Sequence, residues 1–236
     1  MDYFYTPPEK ISETSVLIDG DEFAHLVHVM RKKTGEAIRV VDGKGMAYDV
    51  TLDAFEKKSA RGTILASYAR HNEHAINVTL GVGVLKNPSK FDFLVEKVTE
   101  LGVREIVPLH TERTIPSHDK ADRWQKLALA AMKQCGRSYL PTVCKLTTLD
   151  ELLTRRDLYD ARMIAHEQPR EDNVKNGIAA GATAMLLLVG PEGGFSEGEV
   201  QRCVASGCET LYLGERRLRT ETAAIVTVAM ATQLSM

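Results

Sequence analysis

From residue 76 onward the sequence keeps changing its hydrophobic period, and this restricts the fold more than any other feature of the chain. Ile76, Val78, Leu80, Val82 and Val84 alternate with Asn77, Thr79, Gly81 and Gly83, the period of a strand. Phe91, Leu94, Val95, Val98 and Leu101 then recur at helical spacing, Ser89 and Asp92 read as a capping box, and Gly102 supplies a stop. Arg104–Pro108 reads as the next strand, and Trp124, Leu127, Ala128, Ala131 and Cys135 line another helix face. Met163–Ala165, Ala184–Val189 and Thr210–Leu213 are further strands. A helix from Glu197 to Ala205, with Ser196 and Glu199 as its capping box, separates the last two, and an apolar helix runs from about Thr220 to Leu234. Strands alternating with helices need crossover connections, so this half of the chain is predicted to be α/β with a parallel sheet.

The first seventy residues follow a different rule. VLI, AIRVV, MAYDVTL and GTIL are short β-prone runs, with Asp42-Gly43-Lys44-Gly45 placed as a hairpin connection and one helical piece around Glu22–Arg31. This pattern predicts a small β-barrel or sandwich. The polar stretch Arg70–His74 reads as a linker, which divides the chain into domains 1–72 and 73–236. The first domain holds ten basic and eleven acidic side chains, so it is not basic overall, and from the residues alone its Arg31-Lys32-Lys33 cluster reads as a solvated face.

With 236 residues, 44% of them hydrophobic, the chain can bury a core without a disulfide or metal staple. A net charge of -2 excludes a polybasic nucleic-acid coat but leaves open RNA and small-molecule partners, which depend on local patches. Cys135, Cys144, Cys203 and Cys208 form no CxxC pair and have no histidines at zinc spacing, so reduced thiols and no metal are expected. The N-terminus MDYFYTPPEK has no apolar core of a signal peptide, and the longest apolar runs fall far short of the ~20 residues of a membrane span. A cytoplasmic, soluble protein with no membrane partner is the expectation.

Chemistry concentrates in two loops. Gly190-Pro191-Glu192-Gly193-Gly194-Phe195 follows the buried strand, and its glycines permit close approach of a ligand to the main chain. It lacks the residues of a P-loop and the spacing of GxGxxG, so a ligand loop and a tight strand-to-helix turn fit it equally. The segment Leu213–Thr222 carries Arg216, Arg217 and Arg219 ahead of the last helix, whose amino end favours an anion, although Thr220 also suits a plain N-cap. Residue by residue, a capped helix with solvated arginines fits this loop better. Together the loops define a ligand site and no more.

Taken as a pair, GPEGGFSEGE and LGERRLRTETA resemble the signature segments of the ribosomal RNA small-subunit methyltransferase E family. FAHLVHVMRKKTGE, VEKVTELGVREIVP and AMKQCGRSYLP are similar to further family segments in the same order, so the resemblance spans nearly the whole chain. Lys133 departs from it, standing where many relatives have an acid. The resemblance implies a PUA-like RNA-binding β-barrel followed by a SPOUT domain with a deep trefoil knot. It implies transfer of a methyl group from S-adenosylmethionine to N3 of a uridine in 16S rRNA, by a homodimer acting on the rRNA or the small ribosomal subunit. The cofactor is then held by Leu188, Gly190, Pro191, Glu192, Gly193, Gly194, Leu213, Gly214, Leu218, Arg219 and Thr220. RNA contacts fall to His25, Arg31, Lys32, Lys33 and Arg137, although His25 on its own reads as a satisfied core histidine.

Uridine N3 carries a proton, so charge builds on the uracil as the methyl arrives, and Arg219 is the candidate to stabilise it. Glu221 is the candidate base or orienting partner; its place in a helix first turn lowers its pKa and makes it a poor base. The rival readings are another SPOUT enzyme acting on tRNA or on a ribose hydroxyl, and a non-catalytic rRNA-binding assembly factor. A hydrolase ranks last, because no Ser/His/Asp or metal constellation can be assembled.

Overall fold

The architecture follows from two hydrophobic patterns that fold into separate sheets. The structure, a computed structural model, describes residues 2–115, 119–166, 174–175 and 181–233. Contacts divide the chain into two compact units: residues up to Glu73 together with Met132–Leu140, and His74–Ala131 together with the chain from Pro141 onward.

In the first unit, β1 (Tyr3–Tyr5), β2 (Ser15–Asp19), β3 (Ala37–Val41), β4 (Met46–Phe55) and β5 (Ser59–Ala69) form one sheet in the order β1-β3-β4-β5-β2. β1 pairs parallel with β3, and the other neighbours are antiparallel. Alternate residues bury one face, so Phe4, Val16, Ile18, Ile38, Val40, Val50, Leu52 and Ala60 pack with Leu26 into a core. The β3–β4 hairpin is closed by the Asp42 carboxylate, which accepts from the amides of Lys44 (2.7 Å) and Met46 (3.0 Å). The helical piece expected at Glu22–Arg31 starts earlier, as α1 (Gly20–Ala24), and continues as a π-helical turn over His25–Val29. It stops there because Arg31 takes a positive φ of 54°.

A segment distant in sequence joins this unit. The Glu73 carboxylate accepts from the amides of Ser138 and Tyr139, both at 2.9 Å, and from the Arg137 guanidinium at 2.8 Å. Both side chains of the Arg137–Glu73 pair are only 4% exposed. Arg137, expected on the RNA face, is therefore a buried structural pin. Lys133 is ion-paired with Glu22, whose other carboxylate oxygen accepts from the Tyr5 amide at 3.2 Å. The family departure at this position thus serves a local contact.

In the second unit the strands are β6 (Asn77–Gly83), β7 (Glu105–His110), β8 (Thr142–Val143), β9 (Thr147–Thr148), β10 (Ala161–His166), β11 (Val174–Lys175), β12 (Ala184–Val189) and β13 (Glu209–Tyr212). The helices are α2 (Pro88–Glu100), α3 (Ala121–Cys135, whose end belongs to the first unit), α4 (Leu149–Leu153), α5 (Glu197–Ala205) and α6 (Thr220–Gln233). The sheet order is β11-β13-β10-β12-β6-β7-β8, with β9 also on β7, and every pair is parallel, as the alternation of periods predicts. A core cluster of Val107, Leu109, Leu149, Leu152, Ile164, Leu186, Leu188, Phe195, Val200, Cys203 and Cys208 fills this unit. All four cysteines are free thiols. Burial pushes the Cys144 thiol up to about 11, so it stays protonated at neutral pH.

α5 begins at the Ser196/Glu199 capping box read from the sequence. α2 does not begin at Ser89. Its cap is Asn87, whose side chain accepts from the Ser89 amide, with Pro88 in the first turn, and Asp92 instead pairs with Arg123 at 2.7 Å. Leu234, the expected end of the last helix, lies outside the described residues.

Removing the Arg137 guanidinium leaves the buried Glu73 carboxylate without its counter-charge. Arg137→Ala should therefore lose about 3–5 kcal/mol of stability in urea unfolding, whereas removal of an exposed arginine costs under ~1 kcal/mol. A loss of the smaller size would mean that the pin does not hold.

Candidate active site

β10, β12 and β13 are parallel neighbours, and their carboxyl ends lie level: Ile164 is opposite Leu188, and His166 is opposite Tyr212. The loops that leave them must therefore converge, where open α/β sheets place their ligands. A cavity of about 640 Å³ lies there, within the range of small-molecule sites. Its walls come from the Val189–Glu192 turn with Gly194, from the Leu213–Glu221 segment, from Ala165 and His166 at the end of β10, and from Lys90 of α2.

The first loop is rigid for identifiable reasons. A side chain on Gly190 would put its Cβ 2.8 Å from the Gly194 carbonyl carbon and the Phe195 nitrogen, so only glycine lets the loop fold back on itself. Arg113 donates to the carbonyls of Gly193 (2.7 Å) and Phe195 (3.2 Å), clamping the loop from the side. The Glu192 carboxylate accepts from the Lys86 amide at 2.9 Å. Glu199, 1% exposed, accepts from the amides of Ser196 (2.8 Å) and Glu112 (2.9 Å) and so ties the start of α5 to the segment after β7.

The second loop carries the charge. Arg216, Arg217 and Arg219 are exposed and line the cavity. The Arg219 carbonyl accepts from the Ala223 amide at 2.8 Å, which makes Arg219, not Thr220, the residue that caps α6. Glu221, 9% exposed, pairs with Lys90 at 3.1 Å. Burial pushes its carboxyl up, but its own backbone amide, Lys90 and Arg219 outweigh burial and hold it below the ordinary carboxylate value.

Of the residues expected around the cofactor, Gly190, Pro191, Glu192, Gly194, Leu213, Gly214, Leu218, Arg219 and Thr220 border the cavity, as does Glu221. Leu188 is fully buried in the core behind them, and Gly193 packs its Cα side toward Arg113. Lys90 and His166 were not singled out from the sequence. His166 sits where a strand ends, a position the carboxyl-end rule flags, whereas no local pattern announces Lys90.

The residues expected on RNA are scattered over the first unit. Arg31 and Lys33 are exposed. Lys32 is bound to Asp2 at 2.9 Å and Glu36 at 3.7 Å. His25, read as a core residue when taken alone, is exposed, with its ring edge against Phe4. Among the described residues no group of His, Cys, Asp or Glu is placed to hold a metal, and no helix is long and apolar enough to cross a membrane.

Residues 72–232 match the model of an RNA methyltransferase domain, and residues 18–65 that of an RNA methyltransferase PUA domain. A ribosomal RNA small subunit methyltransferase E of Synechocystis is 30% identical over 96% of this chain and 76% of its own length. One of Bacillus subtilis is 29% identical over 87% of this chain and 85% of its own. The crystal structure of a ribosomal RNA small subunit methyltransferase E from Neisseria gonorrhoeae, bound to S-adenosyl methionine, superposes with a TM-score of 0.84. It shares 31% identity over 99% of this chain and 98% of that one.

Lys90 is one of the groups that hold the Glu221 carboxyl down, so Lys90→Met should raise that pKa, read by NMR titration of the side-chain carboxyl. Because the folded value is depressed, the stability it contributes is present above the ordinary pKa of 4.5 and fades as pH falls through the lowered one. In Lys90→Met that loss should be smaller and should be complete at higher pH; an unmoved titration would show that the pair carries no weight.

Proposed function

Because this chain belongs to the ribosomal RNA small subunit methyltransferase E family, we propose that it transfers the methyl group of S-adenosylmethionine to N3 of a uridine in 16S rRNA. The observation that carries this reading is the cavity at the strand ends, formed by the two loops that resemble the family signature. The cavity suits the cofactor in size and chemistry. Gly194 allows main-chain groups to meet a heterocycle, while Arg216, Arg217 and the amino end of α6 favour a carboxylate. When bound, S-adenosylmethionine supplies an electrophilic methyl group on a sulfonium.

The protein's own task is then alignment and charge control. The clamped Gly190–Phe195 loop holds one wall fixed, so orientation is prepaid in the folded state. Arg219 stands at the mouth of α6, where a guanidinium stabilises the negative charge that develops on a uracil losing its N3 proton. Glu221, kept ionised by Lys90 and Arg219, is a weak proton acceptor and serves to orient Arg219. This assigns the catalytic roles to Arg219 and Glu221.

The same reading makes residues 1–72 the RNA-binding module, with Arg31 and Lys33 as phosphate contacts, and residues 73–236 the SPOUT catalytic domain with its trefoil knot. It also makes the protein a cytoplasmic homodimer that needs no metal. Half-buried Ile225, Val226, Ala229 and Met230 on α6 support a partner contact.

Calorimetric titration with S-adenosylmethionine tests the reading. Binding of micromolar strength near one site per chain is expected, or near half that ratio if the dimer uses one site at a time; no binding, even with RNA present, would overturn it. Arg219→Ala should cut turnover by about 10²–10³ while leaving cofactor affinity nearly intact. Equal loss of both would remove Arg219 from the chemistry.

A further inference from the structure

A second concentration of recognition chemistry lies on the first unit. On β1, β3 and β4, Tyr3, Arg39 and Asp49 are successive register partners, and they face away from the core that holds Phe4, Val40 and Val50. Tyr68 of β5 joins the row through its hydroxyl, which donates to Asp49 at 2.9 Å. Arg39 binds the same carboxylate at 2.7 Å and lies over both tyrosine rings, 5.9 Å from the Tyr3 centroid and 5.1 Å from that of Tyr68. His71 stacks on Tyr3 at 6.0 Å and shares a hydrogen bond with its hydroxyl at 2.9 Å.

We propose that Tyr3, Arg39, Tyr68 and His71 form a stacking platform for an unpaired nucleobase of RNA. The inference rests on the reading of this chain as an RNA enzyme, and it adds a base contact to the phosphate contacts assigned to Arg31 and Lys33. Tyr68 presents the exposed ring, and Tyr3 and His71, stacked on each other, back the Arg39 guanidinium that lies over it. Asp49 fixes the guanidinium plane, so little order is lost when a base arrives. A row that served only packing would be covered, yet Tyr68 remains 40% exposed at the end of a strand. Lys44 and Arg70, both exposed, lie where the β3–β4 hairpin meets the end of β5, the Arg70 amide donating to the Gly45 carbonyl at 2.7 Å. They place positive charge beside the platform for the phosphates that flank a base. An A-form duplex hides its base faces, so the platform selects single-stranded RNA.

The test uses the full-length protein and a labelled 12-nucleotide single-stranded RNA of mixed sequence, with the matching duplex as control. Tyr68→Ala should weaken single-strand binding about tenfold and leave duplex binding unchanged, while Tyr68→Trp restores it. The chain has one native tryptophan, the buried Trp124. Emission of Y68W should therefore be quenched on saturation with the single strand well beyond any change in the wild type. Equal single-strand affinity of Y68A and wild type, or no added quenching in Y68W, overturns the platform. Titration of the wild type with S-adenosylmethionine decides the methyltransferase reading separately, whatever the RNA result.

Discussion

Everything proposed for the active site depends on the parallel alignment of β10, β12 and β13. Parallel neighbours end on the same side, so the connections that follow each strand meet whether or not their sequences attract one another. Antiparallel pairing of any one of them would send its loop to the opposite edge. The alignment itself is stabilised by burial on both sides of the sheet. Leu186 and Leu188 are fully buried in the core cluster, while Met185 and Leu187, pointing the other way, are buried too. The continuous apolar run AMLLLV is the sequence expression of that burial.

On this frame the two loops divide the work. The Gly190–Phe195 loop is held by contacts that exclude side chains and saturate carbonyls, a geometry suited to fixing a ligand's position. The Leu213–Glu221 segment carries three exposed arginines and two carboxylates, Glu215 and Glu221, a composition suited to managing charge. Lys90 pairs with Glu221 at 3.1 Å and, together with the Glu221 amide and Arg219, holds that carboxyl below its ordinary value, which weakens it as a proton acceptor.

Much of this organisation was legible in the residues, and the exceptions have physical causes. The start of α5 could be read because its capping box is local. The start of α2 was misread because Asn87 and Pro88 compete with Ser89 for the cap, and a local pattern does not rank them. β8, β9 and β11 have two residues each, too few to show a period. Arg137 was expected on RNA by resemblance alone, and its ion pair was not legible because Glu73 is remote in sequence and burial of an ion pair leaves no periodic trace. The same holds for Lys90 against Glu221, and for the row of Tyr3, Arg39, Asp49 and Tyr68, which exists only once four strands are in register.

The central claim is the identity of the methylated atom, and product analysis tests it most directly. Small ribosomal subunits lacking the mark are incubated with the protein and isotopically labelled S-adenosylmethionine, and the rRNA is then digested to nucleosides. The account predicts label in 3-methyluridine from 16S rRNA, about one per subunit, given one uridine target. Label in a 2′-O-methylated nucleoside, or transfer to tRNA in preference to the small subunit, would contradict it.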